Sequence, residues 1–88
     1  MTNIATVAKG IIDLIDVGQE IYEAAANAMD AIEAKGKLQG KDKKDWVLAF
    51  VKGTVLELSL NWGDWVELVS NFIDKLKSAY NAVRDLFK

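Results

Sequence analysis

Two long amphipathic stripes, one near each end of the chain, constrain the fold of this 88-residue sequence more than any other feature. Apolar or small residues in both stripes recur in alternating steps of three and four, a spacing that brings side chains to one side only in a helix. The first stripe consists of Ile4, Val7, Ile11, Leu14, Gly18, Ile21, Ala25, Ala28 and Ile32, and the second of Trp65, Val69, Phe72, Leu76, Ala79, Val83 and Leu86. The sequence therefore predicts an all-α protein with a long helix at each end.

Three helices are predicted along the chain, and together they make one domain. Their expected bounds are about residues 3–35, 43–60 and 65–86. Two short connections favour an antiparallel three-helix bundle, in which two long amphipathic helices flank a more apolar middle helix. At 1.5 Å per residue the first helix would be about 50 Å long and the others about 27 and 33 Å. The overhang of the first helix requires a bend at Gly10 or Gly18, or a second subunit.

Capping residues set the expected ends of these helices. Thr2 or Asn3 can cap the first helix, and Gly36 suits the left-handed position at its end. Asp42 is a candidate cap for the second helix. The spacing of Asp64–Glu67 is a variant of the capping box and is expected to open the third helix.

The centre of each stripe is expected to form the core or a self-association surface. Hydrophobic residues make up 51% of the chain and include three Trp, three Phe and two Tyr, which is more aromatic surface than a thin bundle hides easily. This surplus predicts a partner, either a second copy of the chain or another helical protein. The residues concerned are Ile11, Leu14, Ile21, Trp65, Val69, Phe72, Leu76 and Val83.

Charge is divided unevenly along the chain. Residues 1–34 carry one Lys and six acids, residues 35–52 carry six Lys and two Asp, and residues 53–88 carry four basic and five acidic groups. The polar side of the first helix is therefore an acidic face, which is usually solvated. An alternative is that this face mimics a nucleic acid and inhibits a basic host protein. Its residues are Asp13, Asp16, Glu20, Glu23 and Asp30.

The lysine-rich connection is the best candidate interaction surface on the chain. It comprises Lys35, Lys37, Lys41, Lys43, Lys44 and Trp46. Basic side chains beside an indole suit a phosphate backbone, an anionic lipid headgroup or an acidic protein face. A short positive hinge in an acidic chain disfavours nucleic acid as the main partner, while a membrane surface stays an alternative. The simplest interpretation is a solvated turn whose lysines offset the acidic helix.

Catalytic and metal-binding residue types are scarce. The chain has no cysteine and no histidine, which removes disulfides, thiolate metal sites and the usual general base. The carboxylate pairs lie on the polar side of a helix, and no phosphate-binding glycine loop is present. We therefore expect no enzymatic activity, no metal and no cofactor.

The location expected for the chain is cytoplasmic or virion-associated. Its first residues lack the basic start of a signal peptide, and Asp13 and Asp16 interrupt what would be the apolar part of one. The most apolar stretch, residues 46–60, is interrupted by Lys52, Gly53 and Glu57 and is too short to span a bilayer.

The stretch GKDKKDWVLAFV from Gly40 to Val51, together with the later aromatic-rich helix that ends in SAYNAVRDLF, resembles small phage-encoded proteins, including some holin-like ones. The resemblance covers about half of the chain. Holins carry a transmembrane helix, which this sequence lacks, so the resemblance implies a small accessory protein of a phage or prophage rather than membrane perforation.

These observations favour a non-enzymatic interaction or structural accessory protein that self-associates. A peripheral membrane-active or holin-like protein is one alternative, and an inhibitor acting through the acidic face is another.

Overall fold

Five helices make up the computed structural model, which describes residues 3–36 and 38–87. They are α1 (Ile4–Ile12), α2 (Gln19–Lys35), α3 (Gly40–Glu57), α4 (Trp62–Ala79) and α5 (Asn81–Leu86). The described part of the chain contains no strand. The all-α prediction is confirmed, and the number of helices is five rather than three.

The first predicted helix is divided in two, so the expectation of one element over residues 3–35 is wrong. The backbone N–H groups of Ile4 and Ala5 donate to the Asp30 carboxylate at 2.7 and 2.8 Å. A continuous helix would hold Ile4 and Asp30, which are 26 residues apart, about 39 Å from each other. Helix α1 therefore folds back along α2. This fold buries the inner face of α1, which consists of Ile4, Ala8 and Ile12.

Gly18 makes the reversal between α1 and α2. Its φ of +83° is in the left-handed region, and α2 begins at the next residue. A Cβ at this position would lie 2.6 Å from Cζ3 of Trp65, so the absence of a side chain also lets the indole approach the turn. Gly10, the other predicted bend, lies inside α1. The overhang of the first predicted helix is thus resolved within one chain.

Two predicted caps are confirmed. The Asn3 side chain accepts a hydrogen bond from the Thr6 N–H at 2.7 Å and so caps α1. Gly36 ends α2 with a left-handed φ of 63°, and its N–H donates to the Ile32 carbonyl at 3.3 Å. Thr2, the alternative cap, lies outside the described residues.

Helix α3 begins and ends about three residues earlier than the sequence predicts. It starts at Gly40, so Asp42 lies in its first turn and does not cap it. The carboxylate there still faces the positive end of the helix dipole. The helix ends at Glu57, and Ser59 then adopts a left-handed φ of 61° while its N–H donates to the Leu56 carbonyl at 3.0 Å.

Helix α4 also begins three residues early, because Asn61 caps it. The Asn61 side chain accepts a hydrogen bond from the Gly63 N–H at 3.0 Å, and Trp62 is the first helical residue. The predicted capping box at Asp64–Glu67 is therefore wrong, since both residues already lie inside the helix.

The third predicted helix is likewise interrupted near its end. Tyr80 has extended backbone angles, with φ −126° and ψ 125°, and separates α4 from α5. The kink brings the final turn back onto the core, where Val83, Leu86 and Phe87 are buried.

A single cluster of buried hydrophobic residues joins all five helices. Helix α2 is central to it, because it contacts each of the other four. The small residues Ala25, Ala26 and Ala28 are all fully buried on α2 and allow neighbouring helices to pack closely around it.

Candidate protein-interaction surface

Two lysines of the predicted lysine surface contact other helices of the chain. The Lys44 ammonium forms a 2.8 Å ion pair with Asp74 on α4. The Lys43 Nζ donates to the Leu86 carbonyl at the end of α5, where a cation is favoured by the helix dipole. These two lysines therefore tie the start of α3 to α4 and α5. Lys37 lies outside the described residues.

An exposed remainder of the lysine surface combines positive charge with aromatic rings. The Lys35 Nζ lies 4.7 Å from the centre of the Trp46 ring, a cation–π contact. The Trp46 ring stacks on Phe50, with the ring centres 5.7 Å apart and the planes at 23°. Phe50 is 49% exposed, and Lys35 and Lys41 are exposed. We call Lys35, Trp46 and Phe50 the basic-aromatic surface.

The predicted acidic face is divided between two roles. Asp13, Asp16, Glu20 and Glu23 are exposed around the turn from α1 to α2. Asp30 instead lies against the start of α1, where its carboxylate accepts two backbone N–H groups. Its part in the fold was not apparent from the sequence, because the partners of its carboxylate are distant along the chain.

The predicted core residues are mostly in the core, with one clear exception. Ile21, Val69, Phe72, Leu76 and Val83 are buried. Ile11 and Trp65 are partly buried and pack against the same cluster.

Leu14 is the exception, because its side chain is 84% exposed. It was expected on the inner face of a continuous helix. It lies instead in the turn between α1 and α2, where the helical periodicity is interrupted and no longer directs it inward. Of the two roles predicted for Leu14, core or self-association, the core role is wrong.

Several exposed hydrophobic side chains lie at this turn, at the turn between α3 and α4, and on the first half of α4. Val17 is 72% exposed, and the set also includes Leu14, Leu58, Leu60 and Leu68. The sequence showed their hydrophobic character without showing that they share a surface. The only signal available was the cluster of apolar residues in DLIDVG and LELSL next to predicted turns.

These side chains line two adjoining grooves. Groove A includes Leu14 and Leu68, with Phe72 and Tyr22 deeper in it and Lys75 at its edge. It has apolar walls from α1, α2 and α4.

Groove B is lined by Trp65, whose ring contacts Tyr22 of groove A, and it differs from groove A in its charge. Its apolar lining includes Val17, Leu58, Leu60 and Trp65, and its charged groups are the carboxylates of Asp16 and Glu20. Among the residues that the structure describes, none that lines groove B is basic. This groove therefore combines apolar contact area with negative charge.

A line of three aromatic rings connects the two grooves. The Tyr22 ring centre lies 6.2 Å from Trp65 in an edge-on arrangement and 4.8 Å from Phe72 in a tilted one. Both distances are in the range of favourable aromatic pairs. Burial also raises the pKa of the Tyr22 phenol above its ordinary value, because the charged phenolate would lose hydration there.

Across residues 3–36 and 38–87, no group of three or more Asp or Glu side chains is placed to hold a metal ion. In the same residues, no helix has the length and apolar character needed to cross a bilayer.

Comparison of the chain with protein-family models, with curated proteins and with solved structures found no match.

Proposed function

We propose that this chain is a non-enzymatic interaction protein that associates with itself through the surface at its α1–α2 and α3–α4 turns. The observation that carries this proposal is the concentration of exposed Leu14, Val17, Leu58, Leu60 and Leu68 in two adjoining grooves. Isolated exposed leucines are ordinary on a small protein, but a contiguous group marks an interaction surface.

The composition of the grooves supports binding rather than catalysis. Most of the residues that line the grooves are aliphatic or aromatic, and such side chains contribute contact area and exclude water. Trp65 and Tyr22 supply the rigid aromatic surface that carries much of the binding energy at protein interfaces. The resemblance of residues 40–51 and 78–87 to phage-encoded proteins supports the further proposal of a phage accessory protein.

Removing the exposed apolar side chains from both grooves tests the proposal. The double variant L14S/V17S takes one such side chain from each groove, at positions outside the helices, where serine is well tolerated. Wild-type protein should form oligomers in sedimentation velocity at about 100 μM, an affinity range typical of small interfaces. The double variant should sediment as a monomer.

Leu56→Ser is the matched control. Leu56 is 55% exposed on α3 and lines neither groove. Leu56→Ser removes an exposed leucine that lies outside both grooves, so it should leave association unchanged. A wild-type protein that stays monomeric at millimolar concentration would end the proposal, and equal loss of association in both variants would mean that the grooves are not the contact.

Peripheral membrane binding is a second candidate function, favoured by the basic-aromatic surface. An ammonium held over an indole, next to a half-exposed phenyl ring, suits the headgroup region of an anionic bilayer. Flotation with vesicles containing about one third anionic lipid would test it at low salt. Binding lost in Phe50→Ser and retained in Leu56→Ser would support it, whereas no flotation of wild-type protein would exclude it.

A further inference from the structure

We propose that groove B binds the basic-aromatic surface of a second copy of the chain, so that copies join head to tail. This inference rests on the self-association proposed above and states which surfaces meet. Its basis is that one chain carries both halves of a complementary pair, an acidic apolar groove and a basic aromatic surface.

The charges of the two surfaces are opposite. Between Lys9 and Lys35 the sequence has no basic residue, so nothing nearby in the chain offsets Asp16 and Glu20 in groove B. Residues 35–52, which include the basic-aromatic surface, carry six lysines and two aspartates. Complementary charge across an interface directs partner choice and increases the association rate.

The lysines available for such a contact can be identified from the structure. Lys43 and Lys44 already contact α5 and α4. Lys35 and Lys41 are exposed, and Lys35 is held in place over Trp46. An ammonium positioned by an aromatic ring loses little freedom when it meets a carboxylate, and this lowers the entropic cost of binding.

The two surfaces share no residue and lie at different positions along α3 and its C-cap. Phe50 and Leu58 are eight residues apart, about 12 Å along the helix axis, and Trp46 lies about 18 Å from Leu58. The longest dimension of the molecule is 32 Å. When two unlike patches of the same chain bind two different copies, the contact is heterologous, and it repeats from copy to copy unless the geometry closes a ring.

Pairing groove B with itself is the alternative arrangement, and its charges oppose it. A two-fold contact of groove B with itself would bring two acidic linings, each with Asp16 and Glu20, into one interface. Like charges brought together at an interface are costly, whereas the heterologous contact places carboxylates against ammonium groups. The electrostatics therefore favour head-to-tail association over a symmetric pairing of groove B with itself.

Mixing two variants, each with one surface disrupted, distinguishes these arrangements. Val17→Lys puts a cation into groove B, and Phe50→Ser removes the exposed ring from the basic-aromatic surface. Both positions are exposed, so both variants should keep the wild-type circular dichroism spectrum. Each variant alone should associate at least about tenfold more weakly than wild type, as expected for loss of one well-placed contact.

An equimolar mixture should form 1:1 dimers and nothing larger in sedimentation velocity. The intact basic-aromatic surface of Val17→Lys can bind the intact groove B of Phe50→Ser, while the other two surfaces are both disrupted. Leu56→Ser, the matched control, should assemble like wild type. Raising the salt concentration from about 50 to 500 mM should weaken wild-type association, because opposite charges at the rim are screened.

The outcomes separate this inference from the proposed function. Wild-type protein that is monomeric overturns both. If wild-type protein associates but mixing the two variants does not restore association, only the head-to-tail arrangement is overturned. The same holds if wild-type association strengthens with salt. Binding of the wild-type monomer to anionic vesicles, lost in Phe50→Ser and without any association, would assign the basic-aromatic surface to a membrane and overturn the inference.

Discussion

Gly10 and Gly18 lie in the same amphipathic segment and have opposite structural roles. A Cβ at Gly10 would meet nothing within 4 Å, whereas one at Gly18 would meet Trp65 and would also need a left-handed backbone. Gly10→Ala should therefore raise the free energy of unfolding by up to about 1 kcal/mol, because alanine is the better helix former. Gly18→Ala should lower it by about 1 to 3 kcal/mol.

Urea denaturation followed by circular dichroism measures both changes. Each variant adds one methyl group in the same part of the chain, so each serves as the control for the other. Equal stability of the two alanine variants would contradict the left-handed turn at Gly18.

The ionisation of Tyr22 predicts how the free energy of unfolding changes at alkaline pH. Burial raises the pKa of its phenol in the folded protein above the unfolded pKa of about 10. At a pH between these two pKa values, the unfolded chain therefore binds fewer protons than the native one. The stability associated with the neutral phenol is therefore fully present below about pH 10 and is lost as pH rises through the folded pKa.

Tyr22→Phe removes this ionisable group and keeps the ring that contacts Trp65 and Phe72. The free energy of unfolding of wild type should fall more steeply than that of Tyr22→Phe above about pH 10 in urea titrations. Parallel pH profiles would show that the Tyr22 phenol ionises as freely in the folded state as in the unfolded one.

At the scale of elements, α1 is held to α2 by side chains at both of its ends. Asp30 receives the first N–H groups of α1, and the Gln19 amide donates to the Ile12 and Ile15 carbonyls at 3.3 and 2.9 Å. The bonds to Asp30 satisfy two N–H groups at the start of α1 that have no partner within the helix, and Gln19 ties the end of α1 and the following turn to α2. A nine-residue helix has little stability of its own, so it depends on such contacts and on its buried face.

Asp30→Asn should loosen α1 without unfolding the rest of the molecule. The substitution replaces one of the two accepting oxygens with an NH2 group, which cannot accept a hydrogen bond from a backbone N–H. This should weaken the attachment of α1 by about 1 to 2 kcal/mol. Hydrogen exchange should increase in Ile4–Ile12 and stay at wild-type rates in α4. Glu33→Gln, an exposed change on the same helix, is the control and should leave both unchanged. Uniformly faster exchange would instead mean that α1 and the core open together.

Phe72 is the buried aromatic side chain of the stripe on helix α4. Phe72 is buried against Tyr22, so Phe72→Ala should lower the free energy of unfolding by about 3 to 5 kcal/mol. Asp16→Asn, on an exposed position, should change it by no more than about 0.5 kcal/mol. Thermal melts of the two variants give the comparison, and a Phe72→Ala melt that coincides with wild type would mean that this stripe is not the core.

At the scale of the whole molecule, self-association links stability to protein concentration. Binding between folded copies stabilises the native state by mass action, so the thermal midpoint should rise with concentration. Calorimetry over about a hundredfold range of protein concentration should show this rise in wild type and not in L14S/V17S. A midpoint independent of concentration in wild type would argue against association of the folded state.

The two charged surfaces were visible in the sequence, but the grooves were not. Lys35, Trp46 and the exposed carboxylates follow directly from local composition. Groove B combines residues from the α1–α2 turn with Leu58, Leu60 and Trp65, which are about forty residues further along the chain. Such a surface exists only after the helices have packed, because no local pattern relates its two parts.

Helix content and the buried positions of α2 and α4 were determined by the sequence itself, since periodicity, capping and the conformational freedom of glycine are local properties.

The reversal at Gly18 was decided by tertiary structure. The same stripe of residues fits either one long helix or two helices folded together, so its periodicity cannot select between them. The hairpin is selected by contacts that a single long helix could not make, namely burial of Ile4 against α2 and the hydrogen bonds of α1 to Asp30. The same reversal places Leu14 on the surface, because the turn removes it from the helical face that would have buried it.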